Sequence, residues 1–212
     1  MRRRILRWGR QNYVSYPWRE DRDAWLTLAA ELLLQRTRAP QALGAYEVLR
    51  TRYGTPARML RAGRRGARAL TRRVGLYARE ETLLGLARLF EEGGVPETAD
   101  EIREVTGVGA YTAGAWLSLH RGRRSAIIDS NVFRWLGRMV GRPYHRDPRH
   151  VAWVTELAER LTPRRAFRDY NYAVLDFTMT ICTPRNPRCL ECPVRDLCSH
   201  GRAITRSKGS GP

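Results

Sequence analysis

Apolar residues recur along this chain at three- and four-residue spacings, and nowhere does a sustained apolar–polar alternation develop. That period belongs to amphipathic helices rather than strands. It predicts helices over 24–35, 40–52, 56–73, 78–91, 97–103, 110–120, 131–141, 149–162 and 168–180. Glycine and proline punctuate them at Tyr53-Gly54-Thr55-Pro56, at Glu92-Gly93-Gly94 and at Thr106-Gly107-Val108-Gly109. The expected fold class is all-α, without a solenoid repeat. The first 23 residues read only as basic and aromatic, with Tyr16-Pro17-Trp18-Arg19 at their end. No run of 18 apolar residues offers a membrane span. The basic start lacks the apolar stretch of a secretory signal.

Charge sharpens this picture. Over 212 residues the chain carries 39 Lys plus Arg against 21 Asp plus Glu, a net charge of +18. With 42% hydrophobic residues it has enough apolar material for a core, in one large domain or two small ones. A basic globular chain points to a polyanion, with nucleic acid the first candidate. All but one of the basic residues are arginine, and Lys208 lies in the Lys-Gly-Ser-Gly-Pro tail. No lysine in the body of the chain can form a Schiff base. Guanidinium groups must do the phosphate binding, for which their planar fork is suited.

Cys182, Cys189, Cys192 and Cys198 are the only cysteines and follow a C-x6-C-x2-C-x5-C pattern. Without an export signal, four thiols this close favour a structural metal site over a disulfide framework. The spacing alone leaves zinc and a [4Fe–4S] cluster both open. Gly107-Val108-Gly109 precedes a helix, where glycines admit close backbone approach and free amides bind anions. Asp129, ahead of Ser130-Asn131 and a helix, fits a helix N-cap. Thr27, Glu31, Gln35 and Arg38 share one face at helical spacing. That stripe is either solvated or lines a cleft in which burial would raise the Glu31 pKa.

Taken together and in order, Gln35-Arg36-Thr37, Val74-Gly75-Leu76-Tyr77, Gly107-Val108-Gly109, Asp129 and the cysteine cluster resemble the helix-hairpin-helix DNA glycosylases, in the branch of endonuclease III and the MutY-type enzymes. The resemblance spans residues 12–200. It implies a six-helix barrel over 24–126, with the hairpin at 102–121, and an iron–sulfur domain built from 1–23 and 127–205. The active site is expected between the two, with 206–212 a disordered tail. It also implies that the four cysteines bind a [4Fe–4S] cluster and that Asp129 is catalytic.

Endonuclease III carries a lysine two residues after the Gly-Val-Gly motif, where this chain has Tyr111. The chain therefore looks like a monofunctional glycosylase with little or no AP-lyase activity. The motif is preceded by Thr106 where the family usually has proline. Glu31 before Gln35-Arg36-Thr37, Pro17-Trp18-Arg19 and Asp129-Ser130-Asn131 resemble both thymine(uracil)–guanine mismatch glycosylases and MutY-type adenine glycosylases. The latter carry a further C-terminal domain, and this chain ends 14 residues after Cys198. The expectation is removal of thymine or uracil from G·T and G·U mismatches in double-stranded DNA, by a monomer bound to cytoplasmic DNA and to no membrane. The alternative is an adenine glycosylase acting on A·G or A·8-oxoguanine without that domain. A fold relative that has lost its chemistry would not need Glu31 and Asp129. A zinc-stapled RNA binder would not explain the hairpin.

By this resemblance Asp129, Glu31 and Tyr111 form the catalytic set. Gln35 fills the hole left by the flipped base, Leu76 wedges beside the orphaned partner, and Arg36 supports one of these contacts. Gly107, Val108 and Gly109 hold the phosphate backbone. Thr37, Thr112, Ser130 and Asn131 complete the substrate- and DNA-binding residues.

Overall fold

In a computed structural model of the protein, residues 1–35, 37–142 and 151–209 are described. Arg36, positions 149–150 of the expected 149–162 helix, and 210–212 lie outside them. Among the described residues twelve helices run in chain order: α1 Arg2–Gln11, α2 Pro17–Glu20, α3 Ala24–Leu33, α4 Ala39–Arg52, α5 Pro56–Arg73 and α6 Glu80–Gly93. They continue with α7 Ala99–Arg103, α8 Ala110–His120, α9 Ser130–Val140, α10 Val151–Leu161, α11 Phe167–Thr180 and α12 Ser199–Gly209. Single 3-10 turns lie at Cys189–Glu191 and Arg195–Leu197. The described residues contain no strand, and none of their helices is long and apolar enough to cross a membrane.

The helices divide into two compact units, Ser15–Arg123 and Met1–Val14 with Arg124–Pro212. The first is built around α3. Every residue from Trp25 to Leu33 is buried, so an apolar sequence with almost no polar face becomes a central helix rather than a surface one. Asp23 caps its start by accepting the Leu26 amide at 2.9 Å. Leu28, Leu32, Leu49, Met59, Leu70, Leu83, Leu86 and Trp116 fill the surrounding core. α5 departs from the expected single helix at Gly63, whose φ of 55° and ψ of −154° break the helical run. Glycine adopts that left-handed conformation without the steric cost a Cβ imposes.

The second unit packs α1 against α11. Gly9 sits so close to Ala173 that an added Cβ would lie 2.3 Å from the Ala173 Cβ. Trp8 and Trp135 each meet Phe177 edge-on at 5.6 Å. α9 ends at Gly141 in the left-handed conformation that closes many helices.

Three boundaries differ from expectation. Residues 15–23, expected with the cysteine cluster, belong to the α3 unit. Trp18 is buried there, stacked on Tyr16 at 4.8 Å and edge-on to Tyr46 at 5.6 Å. The Tyr46 hydroxyl donates to Asp21 at 2.7 Å, and burial with that carboxylate pushes the phenol well above its usual range. Residues 124–126 go to the other unit, where Arg124 donates to the Thr162 carbonyl at 2.9 Å and Glu159 accepts the Ala126 amide at 3.0 Å. Residues 206–209, expected in a disordered tail, continue α12. That helix is anchored at its start, where an added Cβ on Gly201 would lie 2.8 Å from the Arg195 carbonyl oxygen.

Candidate functional site

Helix α3 and the start of α8 bring several expected residues together within the Ser15–Arg123 unit. Glu31 is 4% exposed, so the solvated reading of its stripe does not hold. Thr27, one turn earlier, is also buried and accepts the Trp116 indole N–H at 3.1 Å. The stripe is shorter than its helical spacing suggested. Gln35 lies in the turn after α3, and Arg38 is the exposed residue that starts α4. Gln35 still reaches α8, its side-chain amide donating to the Thr112 hydroxyl at 2.8 Å. Thr37 donates to the Val74 carbonyl at 3.0 Å, tying the turn to the segment that carries Leu76. Leu76 is half-buried against the core, and the next residue, Tyr77, is 69% exposed.

Nothing in the sequence flagged the partner of Glu31. His120, the last residue of α8, places Nε2 3.0 Å from Glu31 Oε1, with both side chains almost fully buried. A lone histidine ending the apolar run Ala-Trp-Leu-Ser-Leu was the available signal. It became meaningful only once the fold closed 89 residues of separation.

The Gly-Val-Gly turn is built from α6 as well as from its own glycines. Gly107 has a φ of 92°. Its carbonyl accepts from Arg79 at 2.8 Å, and the Thr106 carbonyl accepts the Thr82 hydroxyl at 3.0 Å. Neither Arg79 nor Thr82 stood out beforehand. Val108 is buried and pins the turn to the core, while Gly107 and Gly109 are exposed. Gly109 starts α8 without a side-chain cap. The first amides of a helix left uncapped in this way suit an anion. Half-buried Tyr111 follows within the first turn of α8.

Asp129 lies in the other unit and does cap α9. Its Oδ1 accepts the Asn131 and Val132 amides at 2.9 and 2.7 Å, and its Oδ2 accepts the Asn131 side-chain amide at 2.8 Å. Ser130 beside it is exposed. Asn131 is in turn held by Arg134, whose Nη1 donates to Asn131 Oδ1 at 2.9 Å. The same guanidinium donates to the Cys182 carbonyl at 2.7 Å and to Thr178 at 2.8 Å. Burial lowers the Arg134 pKa from its ordinary value. Arg134 is a second residue that the motifs did not reveal.

All four cysteines line one cavity, with Trp135, Phe177 and Ile181 forming part of its wall. Burial raises the Cys189 thiol and pushes that of Cys192 up to about 11. Arg138 donates to Cys182 Sγ at 3.6 Å, and the Gly201 amide donates to Cys198 Sγ at 3.5 Å. Among the described residues no three His, Cys, Asp or Glu side chains converge on a position for one metal ion. Four sulfurs around an apolar-walled space, with N–H donors aimed at two of them, fit a cluster of several irons.

Comparison with known proteins adds three findings. Residues 182–198 match the iron–sulfur binding domain of endonuclease III. The chain is 35% identical to the thymine-DNA glycosylase of Aeropyrum pernix, over 93% of this chain and 92% of that one. It is 33% identical to the thymine/uracil-DNA glycosylase of Methanothermobacter thermautotrophicus, over 92% and 90% of the two chains. Among solved structures, a thermostable thymine-DNA glycosylase superposes with a TM-score of 0.86 at 31% identity, covering 95% of each chain. The chain thus carries an iron–sulfur cluster of the [4Fe–4S] type, and the matched segment is the one that contains the four cysteines. With its helical fold, hairpin and cluster segment, the chain belongs to the helix-hairpin-helix DNA glycosylases, in the branch of endonuclease III and the MutY-type enzymes.

Proposed function

We propose that this glycosylase removes thymine or uracil from G·T and G·U mismatches in double-stranded DNA, by hydrolysis and with little or no AP-lyase activity. The observation that carries the monofunctional reading is the residue set at the hairpin. Tyr111 stands where a lyase needs an amine, and the sole lysine is Lys208. The names of the relatives above support the pyrimidine reading. A mismatched pair also flips at lower cost than a Watson–Crick pair.

In this mechanism the Gly107–Gly109 turn and the uncapped start of α8 hold a phosphate through main-chain amides. Leu76 wedges into the duplex, and Gln35, with Arg36 and Thr37 in support, occupies the space of the extruded base. Thr112 fixes the Gln35 amide in its observed direction. Glu31 contacts the flipped base, and Tyr111 walls the pocket. The C1′–N1 bond then breaks with its electron pair leaving on the base. Asp129, oriented by Ser130-Asn131 and the α9 amides, faces the cationic sugar until water adds at C1′. Cys182, Cys189, Cys192 and Cys198 would hold the cluster, which would brace the loop of 182–198, and four protein ligands would leave no position for substrate. The protein acts as a monomer on cellular DNA.

Single-turnover reactions on labelled duplexes with one T·G, U·G, A·G or A·8-oxoguanine pair test this, each read with and without hot alkali. Alkali-dependent cutting of the T·G and U·G strands is expected. Cutting without alkali would overturn the monofunctional assignment, and cutting only opposite 8-oxoguanine or guanine at adenine would replace the pyrimidine one.

A further inference from the structure

A carboxylate beside a departing pyrimidine poses an electrostatic problem. The base leaves with the bonding electron pair and gathers negative charge, which a lone Glu31 carboxylate would repel. A lone buried carboxylate also carries a desolvation penalty. The partner could have been an arginine, since 39 residues are Lys or Arg and all but one of them Arg. Instead the group against Glu31 is His120, 3.0 Å away, with its side chain 3% exposed. Among the described residues Glu31 makes no other ion pair, and its second oxygen, Oε2, takes no hydrogen bond. Leu28, Leu32 and Trp116, all fully buried, are neighbours of the pair along α3 and α8. An apolar environment favours the form of such a pair with no net charge.

We propose that His120 is a positioning residue that shares one proton with Glu31, so that the pair is neutral and leaves Oε2 to meet the flipped pyrimidine. This rests on the reading that Glu31 faces that base. As the C1′–N1 bond breaks, its electrons stay on the pyrimidine. Water supplies the hydroxyl at C1′, and its proton ends on the base. The shared proton stays between Oε1 and Nε2 throughout. His120 thus removes the repulsion that the leaving group would otherwise meet, and it fixes which Glu31 oxygen turns toward it.

The test is single-turnover excision of thymine, uracil and 5-fluorouracil opposite guanine by wild type, H120Q and H120N. These bases bear negative charge with increasing ease in that order. The amides of both variants can donate a hydrogen bond to Glu31 but cannot neutralise it. Thymine excision should fall about 100-fold, the scale of losing electrostatic stabilisation of a developing charge, and 5-fluorouracil excision by less than about tenfold. DNA affinity and the melting temperature should stay near wild type. The E31Q/H120Q double variant should be no slower on thymine than E31Q, as for two groups acting as one. An equal loss on all three bases, or wild-type rates in both amide variants, would overturn the role of His120 and leave the pyrimidine assignment standing. A wild-type protein that removes none of the three would overturn both.

Discussion

Asp129 has two tasks that one substitution can separate. It caps α9 through both oxygens, and in the mechanism above it faces the sugar cation. Asn is nearly as good a cap as Asp, whereas Ala costs about 1 kcal/mol. D129N should therefore melt within about 1 °C of wild type while excision falls at least about 10³-fold, the scale of losing a transition-state contact. D129A should lose both. A D129N variant that kept most of its rate would reduce Asp129 to its cap. The cap was legible beforehand, because it needs only the next three residues. The partner of Glu31 was not, since no local pattern joins α3 to the end of α8. Arg134 was hidden for the same reason: its backbone acceptors, Thr178 and Cys182, lie 44 and 48 residues away.

At the scale of elements, the hairpin offers two glycines with opposite demands. A Cβ on Gly107 would meet Thr82 Oγ1 at 2.4 Å and Arg79 Nη1 at 2.6 Å, on a backbone already at φ 92°. G107A should lower stability by about 1–3 kcal/mol, read by thermal melting, and weaken DNA binding with it. Gly109 has open space around its missing Cβ and an ordinary φ of −95°. G109A should fold as wild type and lose about tenfold in DNA affinity, the loss of one close phosphate contact. Unchanged affinity in G109A would argue that the turn is structural only. The turn itself was readable from its glycines, and so were most helices. α1 was missed because Ile5, Trp8 and Gly9, the residues it turns toward α11, are scattered among five arginines. The break at Gly63 was missed because α5 carries helical spacing on both sides of it.

For the whole molecule, charge and the cluster make separate predictions. If arginines replace counterions along a duplex, log affinity should fall linearly with log salt, with a slope of about −4 or steeper for roughly five phosphates. A flat salt response would deny this charge a role in DNA binding. The purified protein should be yellow-brown, with broad absorbance near ~400 nm. Colour should be lost in C198S, together with a fall in melting temperature of about 10 °C or more, as about 2 kcal/mol produces in a unit of this size. An iron-free, colourless wild type by metal analysis would contradict the cluster. Cysteine spacing made this centre visible in the sequence, although its choice of metal was not. The boundary at residue 15 was not visible either, because it depends on Trp18 finding Tyr46.

The Arg134 guanidinium carries a further consequence. It holds Asn131 with one nitrogen and the Cys182 carbonyl with two others. The order of the cysteine loop is thereby transmitted to the side chain that orients Asp129. Loss of order in that loop should therefore loosen Asp129 without touching the α3 core, read as faster amide exchange at the start of α9 in C198S.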